Sequence, residues 1–354
     1  MTDKFKILFL ITKSEVGGAQ KYVKEQMDIC RDAAHVYLAT NMPGWLSEQT
    51  GSYAADILFD NRIESRLSPG FLIALTKFIK KNKIDLIVCN SANGGLYGRL
   101  SALWCGIPAI YVSHGWSSVY NGGKLAFLLN RIEKWLAFVQ GKVLCVSEAD
   151  YRIAREKIGI AEHRLVLLRN NIFPVKTSKQ PLTYDGGKLR LLALARFAHP
   201  KRMDLLLDTA SQLDYIDVHI FGDGPEFSAV QAEVKARNID NIILHGEVKN
   251  FNDFNSYHAF ILLSDSEGLP MSALEAISAG MPSILSNVGG CKELVENGDL
   301  LVENNVASVT NALQLLKTSF PLYQQSMKPF FDKNFNLAER AAFFIDLYRS
   351  LIKK

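Results

Sequence analysis

Residues 259–280 read AFILLSDSEGLPMSALEAISAG, and this stretch predicts the architecture of the protein. A short apolar run, Ala259 to Leu263, is followed by a turn containing Gly268 and by a segment with helical spacing whose first position is Pro270. Such a strand–turn–helix unit is typical of a parallel sheet that is covered by helices on both faces. It also brings backbone N–H groups and the positive end of a helix to the end of a strand, which predicts an anion site.

The alternation of short apolar runs with amphipathic stretches occurs twice along the chain. The predicted strands are 6–11, 36–39, 86–89, 109–112 and 143–146 in the first half, and 189–194, 218–221, 242–244, 259–263 and 282–285 in the second. The predicted helices are 71–81, 124–138, 203–213, 227–238 and 272–279. Because strands and helices alternate, each half is expected to form a parallel αβα layer structure.

This organisation predicts an α/β protein with two Rossmann-like αβα domains that face each other across a cleft. The N-terminal domain is expected over 1–173 and the C-terminal domain over 188–337, with a linker at 174–187 that is rich in Pro, Gly and polar residues. Residues 338–354 are expected to form a helix that packs back on the N-terminal domain. Ligands bind beyond the carboxyl ends of parallel strands, so loops of both domains would line the cleft.

The composition limits the class of protein. The chain has 354 residues, of which 48% are hydrophobic and 21% charged, and this predicts folded domains rather than disorder. Its five cysteines are scattered and lack CxxC spacing, so neither a disulfide framework nor a zinc site is expected. The apolar run at residues 7–11 is too short for a signal peptide or an anchor. We therefore expect a cytoplasmic protein.

Charge is distributed unevenly between the two halves. Residues 1–175 contain 22 Lys and Arg against 15 Asp and Glu, a balance of +7, whereas residues 176–354 contain 18 against 21, a balance of −3. A basic half can face a phosphorylated acceptor or an anionic membrane, although ordinary solvated faces would give the same balance. No Lys/Arg-rich stacking motif predicts binding to nucleic acid.

Four charged residues lie where the pattern places strand ends. Arg196 and Lys201 follow the strand at 189–194, and a guanidinium and an ammonium there could bind a diphosphate. Glu267 lies in the turn and Glu275 in the second turn of the following helix, so both carboxylates could accept hydrogen bonds from hydroxyls. Carboxylates on either side of a phosphate site suit a ligand made of sugar, diphosphate and sugar. The alternative is that Glu267 caps the helix and that the other three are surface charges.

Further motifs follow in a fixed order. The two glutamates, with seven residues between them, are followed by Gly280, Pro282 and the pair Gly289-Gly290. Other parts of the pattern are Gly17-Gly18, His114, Asn170, Arg196 with Lys201, Phe221 to Pro225, and His245-Gly246. Together these motifs resemble the signature of retaining glycosyltransferases of family 4, which have the GT-B fold, over almost the whole chain.

The resemblance implies a role for each matching residue. Glu267 would contact the donor sugar near the reacting centre, Glu275 would hold the nucleotide ribose, and His114 would hydrogen-bond the donor sugar. Arg196 and Lys201 would bind the diphosphate and stabilise the charge that develops on it. The remaining expected donor-binding residues are Gly17, Gly18, Gly222, Gly224, Gly246, Gly268, Leu269, Pro270 and Met271. A plain left-handed turn is the alternative for Gly222 to Pro225.

The resemblance predicts transfer of a hexose or N-acetylhexosamine from a nucleotide diphosphate sugar, with UDP favoured over GDP, to a hydroxyl of a glycan or lipid-linked acceptor. The anomeric configuration would be retained, and no metal or other cofactor is expected because cationic side chains would stabilise the leaving group. Two alternatives stay open: a non-catalytic nucleotide-sugar-binding subunit, and a nucleotide-sugar epimerase of the same architecture. A dinucleotide-dependent dehydrogenase is not favoured because Gly17-Gly18 is not part of a GxGxxG motif.

The sequence leaves open whether the protein contacts a membrane. The segments 71–81 and 127–138 are amphipathic with Lys on one side, and such helices either cover the sheet or lie on an anionic membrane surface. If the acceptor is lipid-linked, the second interpretation applies, and the protein would make peripheral contact with the inner face of the cytoplasmic membrane.

Overall fold

The structure, a computed structural model, describes residues 4–116, 119, 123–138, 141–177, 179–296 and 298–352. The outermost residues of the predicted N-terminal domain and C-terminal helix, 1–3 and 353–354, lie outside these ranges. The chain forms two compact units. Unit 1 comprises Met1–Asn170 and Ala338–Lys354, and unit 2 comprises Asn171–Leu337.

Unit 1 is built on a parallel sheet of seven described strands in the order β3-β2-β1-β4-β5-β6-β7. The strands are β1 Phe5–Leu10, β2 Ala34–Thr40, β3 Ile57–Phe59, β4 Leu86–Asn90, β5 Ala109–Ser113, β6 Gly141–Cys145 and β7 Leu165–Leu167. Every residue of β4 and β5 is buried, as expected for central strands that are covered on both faces.

The helices of unit 1 connect these strands. They are α1 Gly18–Cys30, α2 Trp45–Thr50, α3 Pro69–Asn82, α4 Ala92–Cys105, α5 Ala126–Leu136 and α6 Glu148–Arg152. The C-terminal helix α11, Leu337–Ile352, joins this unit through the buried Tyr348. The Tyr348 hydroxyl hydrogen-bonds Gln26 Oε1 of α1 at 2.8 Å, and its ring meets the edge of Phe9.

Unit 2 repeats the design with a parallel sheet of six described strands in the order β10-β9-β8-β11-β12-β13. The strands are β8 Leu189–Leu194, β9 Ile216–Phe221, β10 Ile242–Gly246, β11 Ala259–Leu262, β12 Ser283–Ser286 and β13 Leu301–Val302. The helices are α7 Met203–Ala210, α8 Phe227–Ala236, α9 Met271–Ser278 and α10 Val306–Asn334. Because α10 has non-helical backbone angles at Ser319, two residues before Pro321, it is kinked there.

The segment predicted as a linker is held on unit 2. Asn255 donates from its side-chain nitrogen to Thr177 Oγ1 at 3.0 Å, and Lys179 pairs with Asp253 at 2.7 Å. The N–H of Val175 donates to the hydroxyl of Ser278 at 3.2 Å. Polar side chains in a segment without regular structure are thus used to fix it to the neighbouring loops.

The predicted strands and helices are confirmed. Each predicted strand is present with ends within two residues of the observed ones. The short strands β3, β7 and β13 were not predicted, because two or three residues at or near a sheet edge carry no measurable period. Among the described residues, no helix combines the length and the low polarity that crossing a bilayer requires.

Candidate active site

In unit 2, the strand–turn–helix unit at 259–280 brings Lys201 and Glu267 together. Lys201 follows β8 and Glu267 follows β11, and these strands are neighbours in the sheet. Backbone hydrogen bonds join the two loops, from the N–H of Arg202 to the carbonyl of Leu263 at 2.9 Å and from the N–H of Asp265 to the carbonyl of Pro200 at 2.8 Å. The sheet topology therefore brings together Lys201 and Glu267, which are 66 residues apart in the chain.

The ammonium group of Lys201 contacts Oε1 of Glu267, and the hydroxyl of Ser264 donates to the same oxygen at 2.6 Å. The side chains of Lys201 and Glu267 are 17% and 11% exposed, so the pair reaches solvent only at its tip. An ammonium has three N–H donors and a carboxylate about four acceptor positions. The pair can therefore bind ligand oxygens and hydroxyls while the contact between the two residues persists.

A polar network that the sequence did not reveal supports Glu267. The N–H of Ser264 donates to the hydroxyl of Ser286 at 2.9 Å, and that hydroxyl donates to Oδ1 of Asn304 at 2.6 Å. The side-chain nitrogen of Asn304 in turn donates to the carbonyl of Ser264 at 2.9 Å. Ser264 and Ser286 each lie at the end of an apolar strand, and this position is the sequence feature that could have pointed to the network.

The turn after Glu267 lies against a glycine pair. The N–H of Gly290 donates to the carbonyl of Gly268 at 2.8 Å. Gly289 has φ +51°, and a Cβ added there would lie 1.8 Å from the carbonyl oxygen of Glu267. Glycine is needed at 289 because a side chain would displace the backbone that carries Glu267.

Helix α9 starts beside this turn. Pro270 precedes the helix, contrary to the expectation that it is the first helical residue, since its ψ of 122° is extended while its carbonyl accepts the N–H of Leu274. Leu269 and Met271 are 3% and 5% exposed, so their side chains belong to the core. These positions can serve an anion only through backbone N–H groups, as the first turn of a helix allows. Glu275 is half-buried in the second turn, as predicted.

The glycines after β9 support the loop that carries Arg196. A Cβ at Gly222 would lie 1.9 Å from the carbonyl oxygen of Ala195, and one at Gly224 would lie 2.4 Å from that of Phe197. Their φ values of +143° and +159° are positive, and together with these clashes they give a structural reason for glycine at both positions, so donor binding by Gly222 and Gly224 stays a prediction. The side chain of Arg196 is exposed. Gly246, which ends β10, accepts the N–H of Gly222 at its carbonyl at 2.8 Å.

The predicted site residues of unit 1 lie after β1 and β5. Gly17 precedes α1 with an extended backbone at φ −179°, which any residue adopts, and a Cβ there would meet only the end of the Gln20 side chain. The fold therefore does not require glycine at 17, and close approach of a phosphate stays a prediction for Gly17 and Gly18. His114 is half-buried after β5, with its ring centroid 4.8 Å from that of Tyr22 in α1.

The hydrogen bonds around His114 determine which of its nitrogens can serve a ligand. Nε2 lies 2.9 Å from Oδ1 of Asn90, whose amide nitrogen donates to the carbonyl of Val88 at 3.4 Å. With Oδ1 of Asn90 as the acceptor, Nε2 is the donor and Nδ1 remains an acceptor for a hydroxyl. Desolvation by burial lowers the pKa of His114 from 6.5 to about 4, so the ring is neutral at pH 7. Neither Asn90 nor Tyr22 was predicted as part of the site.

The lowered pKa of His114 predicts acid sensitivity. The unfolded chain binds a proton on this residue below its ordinary pKa of 6.5, whereas the folded protein binds it only near pH 4. The free energy of unfolding therefore falls as the pH drops from 6.5 to 4, by about 3 kcal/mol for this residue. We expect the midpoint of thermal unfolding to fall less between about pH 7 and about pH 4.5 in His114→Gln than in the wild type. Equal falls in both proteins would contradict the assignment.

Each unit therefore assembles its own group of predicted residues. In unit 2, Lys201 and Glu267 are in contact, the turn at Gly222 and Gly224 supports the loop of Arg196, and Glu275 lies on the helix that begins next to Glu267. In unit 1, Tyr22 links the start of α1, where Gly18 lies, to His114. The unit 2 group combines cations, carboxylates and a helix N-terminus, which suits a phosphate-bearing ligand with hydroxyl groups.

Comparison with known proteins identifies the family of the chain. The family model "Glycosyltransferase Family 4" matches residues 16–172, and "Glycosyl transferases group 1" matches residues 175–326. The O-antigen biosynthesis glycosyltransferase WbnH of Escherichia coli is 37% identical over 319 residues, which cover 90% of this chain and 91% of that protein. The UDP-Gal:alpha-D-GlcNAc-diphosphoundecaprenol alpha-1,3-galactosyltransferase of Escherichia coli is 25% identical over 312 residues, 79% of each chain.

The crystal structure of Anabaena HepE in complex with UDP and glucose matches this fold with a TM-score of 0.83 and 16% sequence identity, over 98% of this chain and 100% of that one. Two Rossmann-like units with parallel sheets, and the glycosyltransferase family models that match them, define a glycosyltransferase of the GT-B fold, which confirms the predicted fold class. The chain belongs to the family 4, or group 1, glycosyltransferases.

Proposed function

We propose that this glycosyltransferase moves a hexose or N-acetylhexosamine from a nucleotide diphosphate sugar to a hydroxyl of a glycan or lipid-linked acceptor, with retention of configuration. The observation that carries the proposal is the contact between Lys201 and Glu267 beside the N-terminus of α9. It places a cation, a hydroxyl-binding carboxylate and backbone donors at one point, which is what a sugar attached to a diphosphate requires.

In the proposed reaction, the bond between the anomeric carbon and the diphosphate oxygen breaks, and the acceptor oxygen bonds to that carbon on the same face. The acceptor proton passes to the departing diphosphate oxygen. Lys201 and Arg196 stabilise the negative charge on the leaving group, because preorganised cations cost no reorganisation during the reaction. Glu267 accepts hydrogen bonds from the donor sugar, and His114 accepts one at Nδ1.

The donor and acceptor classes are supported by relatives. A relative named for UDP-Gal covers 79% of this chain, and the structural neighbour HepE binds UDP. We therefore favour a UDP-sugar, with Glu275 accepting hydrogen bonds from the ribose hydroxyls. WbnH acts in O-antigen biosynthesis and the UDP-Gal relative is named for a lipid-linked diphosphate acceptor, which supports a role in surface polysaccharide assembly.

The donor proposal is tested by thermal unfolding of the purified protein with UDP, GDP, ADP and their common sugars. A ligand that binds only the folded state raises the midpoint by mass action, and we expect UDP or a UDP-sugar to do so. The shift should persist in excess EDTA, because no metal takes part in the proposed reaction. It should be lost in Glu275→Ala and retained in Glu233→Ala, which removes an exposed carboxylate of α8 in the same unit.

Three results would contradict the proposal. A rise in the unfolding midpoint with GDP alone would show that the donor carries guanine instead of uracil. A rise that EDTA abolishes would overturn the metal-independent mechanism. Binding of a nucleotide sugar with no transfer to any glycan or lipid-linked acceptor would favour a non-catalytic binding subunit.

A further inference from the structure

Helix α5 of unit 1 directs its single carboxylate toward the protein. Its glutamate, Glu133, faces the protein and pairs with Arg99 of α4 at 2.8 Å. The side chain of Arg99 is 4% exposed, and its guanidinium also lies 4.3 Å from the ring centre of Tyr111. This buried ion pair fixes the rotation of α5, because turning the helix would strand the Arg99 charge without its partner.

With Glu133 turned inward, six large apolar side chains of α5 and its ends face solvent, whereas Leu136 of the same helix is buried. Between 41% and 71% of each is exposed, and they are Leu125, Phe127, Leu128, Ile132, Trp135 and Phe138. The positions 125, 128, 132 and 135 have helical spacing, so they form a continuous stripe. Single exposed apolar residues are ordinary, but a stripe of this size is typical of a surface that binds a protein or a membrane.

The charges around the stripe identify its partner. Arg131 and Lys134 are exposed on the same helix, and the guanidinium of Arg131 lies over the ring of Phe127 at 5.4 Å. The one carboxylate within α5 is that of Glu133, which is paired inward. The stripe thus combines exposed aromatic and aliphatic groups with cations, which is the pattern of a helix that lies in the interface of an anionic bilayer.

Helix α3 shows that this arrangement is specific to α5. The two segments have similar amphipathic sequences, but the apolar residues Phe71, Leu75, Phe78 and Ile79 of α3 are all buried in the core of unit 1. Helix α3 therefore covers the sheet, which was one of the two expectations for such segments. Helix α5 instead exposes an apolar stripe to solvent.

We propose that the α5 stripe, defined by Leu125, Phe127, Leu128, Ile132, Trp135 and Phe138, docks on the surface of a bilayer that contains anionic lipid. The apolar side chains enter the boundary between headgroups and acyl chains, and Arg131 and Lys134 contact the phosphates. A second copy of the chain fits less well, because two-fold pairing of this face would bring its cations together. The inference rests on the proposed function only in that a lipid-linked acceptor would be met at that surface.

The full chain is tested by sedimentation with vesicles of phosphatidylcholine that contain about 30% phosphatidylglycerol, and with phosphatidylcholine alone. We expect binding to the anionic vesicles and a fall in affinity of about tenfold or more in the double variant Ile132→Ser, Trp135→Ser. Arg131→Gln with Lys134→Gln should weaken binding to the anionic vesicles by several-fold and remove its dependence on salt. Leu322→Ser, at a residue of unit 2 that is 67% exposed, is the matched control and should bind like the wild type.

Tryptophan fluorescence locates the docking surface. Trp45 and Trp116 are buried, whereas Trp104 at the end of α4 and Trp135 are exposed. Quenching by brominated lipid should be lost in Trp135→Phe and kept in Trp104→Phe. Vesicle binding that is unchanged in the Ile132→Ser, Trp135→Ser variant would overturn the proposal, as would a dimer without vesicles that the same variant dissociates.

The test is independent of the proposed chemistry. Vesicle binding is measured without donor or acceptor, whereas the nucleotide-induced thermal shift is measured without lipid. Failure of one therefore leaves the other result standing.

Discussion

Replacing Lys201 with Met is expected to lower kcat by about 100- to 1,000-fold, the range observed when one preorganised charge-stabilising group is removed. Lys201 contacts Glu267 in the folded protein, and its remaining N–H donors are available to a diphosphate. The loss should appear in kcat more than in KM, because the charge on the leaving group grows as the transition state forms. Transfer to a glycan acceptor, followed by release of the nucleoside diphosphate, is the measurement.

The substitution also leaves Glu267 without its cation, which costs about 1–3 kcal/mol of stability for a largely buried carboxylate. A double-mutant cycle with Glu267→Gln separates the two effects, since the double variant should recover stability while its kcat stays lower than that of Glu267→Gln alone. Lys188→Met, which breaks the exposed pair of Lys188 with Asp217 in the same unit, should leave kcat unchanged. A double variant whose kcat equals that of Glu267→Gln alone would show that Lys201 acts only by holding Glu267 in place.

Gly289→Ala is expected to destabilise unit 2 by more than about 2 kcal/mol and to abolish most transfer activity. The new Cβ would lie 1.8 Å from the carbonyl oxygen of Glu267, so the backbone that carries this carboxylate has to move. A shift of about 1 Å at a positioned group is enough to cost a large part of the rate. Thermal unfolding and kcat would both be measured, with the nucleotide-induced shift as a test of the remaining site.

Gly298→Ala is the matched control for this experiment. Gly298 also has a positive φ, +74°, but an added Cβ meets nothing within 4 Å. The Gly298→Ala variant therefore has the backbone strain of an alanine at positive φ, about 1 kcal/mol, without a clash. If Gly298→Ala loses as much activity as Gly289→Ala, backbone strain rather than displacement of Glu267 explains the effect.

The positions of Glu267, Lys201 and His114 after strands could be predicted, because a parallel sheet gathers the residues that follow its strands at one edge. The supporting residues Ser286, Asn304 and Asn90 could not. Each hydrogen-bonds a residue at least 18 positions away, and no local period or motif encodes such a partner.

The sequence by itself determined the two parallel sheets, their longer strands, and the residue types at the strand ends, because periodicity and turn residues act over a few positions along the chain. Only the tertiary structure decided that α3 covers the sheet while α5 exposes its apolar stripe. A hydrophobic period shows that a helix has an apolar face but not what that face meets. For α5, the direction is set by the ion pair of Glu133 with Arg99, 34 residues away in the chain, which holds the Glu133 side of the helix inward.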